Sequence, residues 1–204
     1  MNQFQCFKKI GEVMQNENVI AEAAKQEDSL KRLVYLTGFV ISQYGGTQFR
    51  CSKPFNPILG ETFEMKSNDW TFIAEQVSHH PPISACYVDA VGYEFWSNSH
   101  LKTKFWGKSL EFKPLGGMHW KFKDNEDHFV CDRPNTVVQN IIIGSMYIDH
   151  SGEASVFNKR TGEKAIISFK PLGFFAKKSN RGKISAIIYN SDGDKVYEIF
   201  GKWC

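Results

Sequence analysis

A change of periodicity at Gly45-Gly46 constrains the fold of this chain more than any other feature. Before it, apolar residues recur every three or four positions; after Thr47 they alternate. A helix face repeats near 3.6 residues and a strand face repeats at 2. The pattern therefore predicts helices over 1–46 and a β meander over 47–204. Phe4, Phe7, Ile10 and Met14 share one helical face, with Asn2 available as a cap. A second helical stretch runs from about Val19 to Tyr44, where Asp28 or Ser29 can cap a new turn. Within it Leu33, Phe39 and Val40 belong to a run that is apolar nearly all round, so burial on most faces is expected.

From Trp70 to Trp203 about ten strand-like runs follow. They include Trp70–Val77, Ile83–Val91, Thr136–Ile143, Glu163–Phe169, Lys183–Tyr189 and Lys195–Phe200. Turn signals separate them at Gly116-Gly117, Asp124-Asn125, Ser151-Gly152, Thr161-Gly162 and Asp192-Gly193. Short, regular strands with such turns predict a mainly β (α+β) chain whose antiparallel meander forms a barrel or a large curved sheet. No repeat or low-complexity linker interrupts the pattern, so one domain over 1–204 is expected.

Composition narrows the function. Lys and Arg exceed Asp and Glu by 25 − 22 = 3, too small a basic excess for a dedicated nucleic-acid binder. Five cysteines at 6, 51, 86, 131 and 204, with no CxxC, predict a reduced intracellular protein without a zinc ribbon or disulfide framework. No apolar run approaches 18 residues and no signal-peptide pattern opens the chain, so membrane contact is expected from the surface.

Two segments break the strand grammar. In Arg50–Thr62, Pro54 and Pro57 exclude helix and central strand, and they push Lys53 and Asn56 toward extended backbone. This reads as a stiff loop holding a cation and an amide, or as a plain surface loop. In Glu75–Ala85, a strand runs into His79-His80 and then Pro81-Pro82. Adjacent side chains on a strand point to opposite faces, and no Cys, Asp or Glu stands at a ligand spacing, so no metal site and no cofactor are expected. Ser78 is not in a GxSxG elbow, and no orienting carboxylate is evident, so no catalytic residue is assigned. Anion recognition fits the pair better, because imidazole and imidazolium both donate hydrogen bonds.

Together these segments carry a resemblance. EQVSHHPPISA and, upstream, KPFNPILGETFE resemble the two hallmarks of the oxysterol-binding protein family's lipid-binding domain. RPNTVVQNIIIGSMYIDHSGE, FNKRTGEKAIISF, VYEIFGKW and FVISQYGG fit its pattern as well, so the similarity covers nearly the whole chain. The resemblance implies a near-complete antiparallel β-barrel around a hydrophobic tunnel, with N-terminal helices. It implies non-enzymatic binding of a sterol, phosphatidylinositol 4-phosphate or another glycerophospholipid, and transfer between membranes. The alternative is a sensor or scaffold that binds lipid without moving it.

On this resemblance Lys53, Asn56, His79 and His80 are the headgroup residues, since phosphate takes charge-assisted bonds from Lys and protonated His. Gln43 and Tyr44 fall where sterol-binding members place polar groups, and Leu33, Phe39 and Val40 are expected in the core or on the tunnel wall. Basic residues Lys177, Lys178, Arg181 and Lys183 near Phe174 and Phe175 suit an anionic membrane surface, or a solvated hairpin loop. The family's lid and its helical C-terminal part are expected to be absent from this chain. A cytoplasmic monomer, peripheral to intracellular membranes, is the implied setting.

Overall fold

The computed structural model describes residues 5–48, 55–173 and 181–204. The readings at Asn2, Phe4, Lys53, Phe174, Phe175, Lys177 and Lys178 lie outside these residues. Three α-helices come first: α1 (Gln5–Gly11), α2 (Glu17–Ala24) and α3 (Ser29–Ser42). Short 3-10 turns follow α1 at Glu12–Met14 and α3 at Gly45–Thr47. The second helical stretch is thus two helices, divided at Asp28. Its backbone is extended, and its carboxylate accepts from the amides of Leu30 (2.8 Å) and Lys31 (3.4 Å). Those amides lack partners within the helix, so the cap defines where α3 begins.

Thirteen strands follow: β1 (Thr62–Lys66), β2 (Trp70–Ser78), β3 (Ile83–Ala90), β4 (Tyr93–Ser99), β5 (Leu101–Phe105), β6 (Ser109–Pro114) and β7 (Met118–Phe122), then β8 (His128–Cys131), β9 (Asn135–Gln139), β10 (Tyr147–Asn158), β11 (Lys164–Phe169), β12 (Lys183–Tyr189) and β13 (Lys195–Lys202). All ladders are antiparallel. The main path is β1-β2-β3-β4-β7-β8-β10-β11-β12-β13, and β5-β6-β9 forms a branch attached to β10.

β10 makes the branch possible. Its first part, Tyr147–Ser151, pairs with β9, and the part from Gly152 on pairs with β11. Gly152 at φ +91° bends the strand between its two partners. The turn expected at Ser151-Gly152 is therefore a bend inside one long strand. Thr136–Ile143 is also shorter than expected: β9 ends at Gln139, one residue before Asn140 at φ +60°.

The architecture is the expected mainly β class with N-terminal helices, but the sheet does not close. Among the described residues β1 and β13 end the main path and β5 ends the branch, each paired on one side only. The sheet curls round α3, which packs on β10, β11 and β12 while Phe39 meets Trp120 of β7 edge-on at 6.2 Å. Leu33, Leu36, Phe39 and Val40 are fully buried in this core. α1 is held at the other end of the sheet, where Phe7 stacks on Phe63 of β1 at 6.2 Å.

An ion network locks the helices to the sheet. Arg32 is fully buried and donates to Asp127 (2.7 Å), Asp124 and the carbonyl of Ala23 (3.2 Å), with its guanidinium over Phe122. Asp127 is also fully buried and accepts from Asn158 (2.9 Å) and Arg160 (2.6 Å). Burial works to raise the Asp127 pKa, but the hydrogen bonds from Arg160 and Asn158 and the nearby cations outweigh it, so the carboxyl titrates below its ordinary range. The breakpoint between α2 and α3 is thereby pinned to the β7–β8 and β10–β11 turns.

Candidate functional site

Where α3 ends, the packing opens into a cavity of about 670 Å³. It is walled by the α1 region, the end of α3, and strands β2 to β7, β9 and β10. Ile10, Val13, Phe95, Phe112, Met118 and Ile148 give much of the wall an apolar character. Volume and lining are those of a pocket for one drug-sized or lipid-sized molecule.

Polar side chains share the wall with these apolar ones, and several of them are placed by specific contacts. Gln43 is the C-cap of α3 and Tyr44 follows it, so the helix end delivers both to the cavity. The amide nitrogen of Gln43 is buried with no hydrogen-bond partner. An orphaned buried donor costs about 1–3 kcal/mol, so it is well placed to meet a ligand acceptor. Tyr44 lies edge-on to His150 and Phe169 at 4.7 and 4.8 Å, and burial pushes its phenol pKa well up.

His150 and Arg133 also line the cavity, and sequence reasoning missed both. The Thr47 hydroxyl donates to the Tyr44 carbonyl (2.7 Å) and therefore accepts from His150 Nε2 (2.9 Å). That leaves Nδ1 as acceptor for the Thr136 hydroxyl (3.1 Å). Burial first, and then the charge of Arg181, lowers the His150 pKa from 6.5 to about 4, which agrees with a neutral ring holding both bonds. Arg133 donates to the carbonyls of Asn98 (2.6 Å) and Gly116 (3.0 Å), while its buried Nε has no partner. A charged residue just before Pro134, inside the RPNTVVQN motif, was the available signal for it.

The two segments that break the strand grammar meet at the cavity mouth. Asn56 and Pro82 both line the opening. The amide of Gly60 donates to the Gln76 carbonyl (2.9 Å) and the amide of Gln76 to the Glu61 carbonyl (3.0 Å), so the KPFNP loop is tied to the end of β2. Glu61 also accepts from the amide of Ile58 (2.9 Å), which closes the loop on itself. Gln76 is buried, donates to the Ser78 carbonyl (2.8 Å) and accepts from Ser84, holding the base of the SHHPP turn.

His79 and His80 occupy that turn, exposed, with ring centroids 4.7 Å apart. Asn56 lines the cavity, as do Gln43 and Tyr44 from the end of α3, whereas His79 and His80 stand exposed in the adjoining turn and do not line it. Leu33, Phe39 and Val40 belong to the packed core: none of the three lines the cavity, because the sheet closes on α3 before its last turn. Arg181 does not stand free in a basic cluster. It donates to the Ile148 carbonyl and lies over the Tyr147 ring at 4.6 Å, while Lys183 is exposed at the start of β12. Among the described residues no cluster of three or more His, Cys, Asp or Glu is arranged to hold a metal.

The comparisons with known proteins bear on this geometry. The sequence model described as oxysterol-binding protein matches residues 2–204. The chain belongs to the oxysterol-binding protein family. Its relatives include human oxysterol-binding protein-related protein 6, 36% identical over 94% of this chain and 21% of the relative. Mouse oxysterol-binding protein-related protein 2 is 36% identical over 96% of this chain and 41% of its own length. Oxysterol-binding protein homolog 2 of Saccharomyces cerevisiae is 38% identical over 96% and 16%. The chain therefore spans less than half the length of these family members.

Solved family structures superpose closely. The Osh1 ORD domain in complex with ergosterol gives a TM-score of 0.87 at 33% identity, covering 96% of this chain and 47% of that one. The Osh3 ORD of Saccharomyces cerevisiae in complex with PI(4)P gives 0.85 at 28% identity, covering 96% and 53%. The family's two hallmark motifs are the segments whose backbone bonds build the mouth.

Proposed function

We propose that this chain is a non-enzymatic lipid-binding module that takes a sterol or phosphatidylinositol 4-phosphate into the cavity and exchanges it between membranes. The observation that supports the reading is a lipid-sized cavity with Ile10, Phe95, Phe112 and Met118 on its wall, next to the turn that exposes His79 and His80. Apolar walls favour a sterol body or acyl chains at roughly 25 cal/mol per Å² buried. A headgroup phosphate takes hydrogen bonds from Asn56, His79 and His80, the residues that the family resemblance assigns to it together with Lys53. Inside, Gln43 and Tyr44 serve a sterol hydroxyl. Ligands of both kinds occur in solved relatives: ergosterol in Osh1 and PI(4)P in Osh3.

The reading requires no bond to be made or broken. Of the two thiols on the cavity wall, Cys6 and Cys86, the latter has its pKa pushed up to about 11 by burial and remains a poor nucleophile. Among the described residues no helix is long and apolar enough to cross a membrane. No disulfide joins the described cysteines Cys6, Cys86, Cys131 and Cys204. The reading has the chain touch membranes from the surface, with Lys177, Lys178 and Lys183 as one basic contact, as a cytoplasmic monomer. The test is transfer of a fluorescent sterol between two vesicle populations, with and without phosphatidylinositol 4-phosphate in the acceptor. Transfer that rises with the phosphoinositide is the expected result. Binding without transfer would reduce the role to a lipid sensor.

A further inference from the structure

The β5-β6-β9 branch ends in an apolar surface that the cavity does not use. Ile143 is 84% exposed, Ile142 68% and Phe105 61%, and Trp106 and Met146 are exposed as well. They sit together because β6 pairs with β9 from Ser109 to Phe112, and the amide of Ile141 then donates to the Lys108 carbonyl (3.1 Å). That bond sets the 140–146 loop beside the β5–β6 turn. The loop has its own shape: Asn140 donates to the Ser145 carbonyl (3.2 Å), and Gly144 turns at φ +97°. At the turn, Trp106 Nε1 donates to Glu111 (2.9 Å) and Lys104 lies 3.7 Å from the centre of the indole ring. Large aromatics and isoleucines held outward on ordered loops differ from the scattered single apolar residues of ordinary surfaces.

Charge decides what covers this face. The hairpin from Leu101 to Pro114 carries Lys102, Lys104, Lys108 and Lys113 against Glu111, which is 4 − 1 = +3, and residues 139–147 carry no charge. An indole beside a lysine, exposed isoleucines and a basic surround match the headgroup–acyl boundary of an anionic bilayer. The hairpin is also continuous with the cavity, since Leu101 and Thr103 of β5 line it.

We propose that the tip formed by Phe105, Trp106, Ile142, Ile143 and Met146 inserts into the surface of an anionic membrane, with Lys102 and Lys104 at the headgroups. This docking surface uses residues other than the basic ones of the 177–183 segment. It rests on the lipid-binding reading only for its purpose, not for its chemistry. The test is co-sedimentation with phosphatidylcholine vesicles, with and without phosphatidylserine, and free of sterol and phosphoinositide.

The native chain is expected to sediment with the anionic vesicles only. Ile142→Ser with Ile143→Ser should weaken this about tenfold, and Lys102→Glu and Lys104→Glu about fivefold each. An environment-sensitive dye on Ile143→Cys should shift to the blue on the same vesicles. Sterol delivered from cyclodextrin tests the cavity separately and should bind the Ile142→Ser, Ile143→Ser chain as it binds the native one. No vesicle binding by the native chain, variants that bind like it, or a dye that does not respond would each overturn the proposal, and would leave the cavity reading standing.

Discussion

Along α3 the body of the helix and its last turn face different surroundings, although both lie under the same sheet. Leu33, Leu36, Phe39 and Val40 are sealed, with Trp120, Phe95 and Ile167 closing over them and the Arg32–Asp127 network clamping the helix start. From Ser42 to Tyr44 the chain lines open space. The side chains change with it, from branched and aromatic carbon to a hydroxyl, an amide and a phenol. The sealed part holds its charge inside a satisfied network. The open part carries donors with no partner at Gln43 and Arg133. Orphaned donors also occur away from the cavity, at Tyr93, Arg181 and Trp203, so the contrast holds for the two parts of the α3 surroundings and not for the whole molecule.

The largest expected effect breaks the sealed region. Phe39→Ala should cost about 3–5 kcal/mol in urea denaturation, because the surrounding sheet cannot collapse onto the space. A loss below about 1 kcal/mol would mean that α3 is loosely held. Next comes acid. The pKa of His150 is 6.5 when exposed and about 4 when folded, so between those values the unfolded chain binds the extra proton. Stability should therefore be full above about pH 6.5 and fall by about 3 kcal/mol as pH drops through 4. His119 and His128, both lowered chiefly by burial and then by Lys159, should add to the same loss. Denaturation of His150→Gln across this range should show a shallower acid slope, and an unchanged slope would remove His150 from the account.

Smaller effects sharpen the contrast at the cavity. His79→Ala with His80→Ala should weaken phosphoinositide binding at least tenfold, since hydrogen bonds to a charged group contribute about 1.5–3 kcal/mol each. The exposed positions predict a stability change within about 0.5 kcal/mol. Isothermal titration beside a thermal melt reads both. Gln43→Leu should leave stability equal or slightly higher, because it removes an unsatisfied donor, while sterol affinity falls about tenfold. A clear loss of stability in Gln43→Leu would make that amide part of the fold.

The division of the chain was readable because it depends on local rules. Alternation located most strands, and of the two cap candidates Asp28 and Ser29 the helix uses Asp28. Other features depend on partners distant in sequence. Apolar patterning reports burial, so it could not separate Leu33, Phe39 and Val40 in a packed core from residues on a tunnel wall. Ser151-Gly152 looked like a turn because a glycine at positive φ serves equally to bend a strand between two neighbours. Arg133, in the β8–β9 connection, and His150 of β10 join the end of α3 at the cavity through contacts distant in sequence, and the motif around Pro134 was the one local hint, for Arg133. The near-complete barrel expected from the family resemblance is what the chain shows: the sheet curls round α3, and β1 and β13 do not pair with each other.

The central claim is that one cavity serves both lipids, so that each excludes the other. The direct measurement is native mass spectrometry of the chain loaded with sterol and then titrated with phosphatidylinositol 4-phosphate. The account predicts a single bound lipid at every ratio, with the sterol adduct replaced by the phosphoinositide adduct, and no replacement in the His79→Ala, His80→Ala chain. A species carrying both lipids at once, or a chain that retains neither, would contradict it.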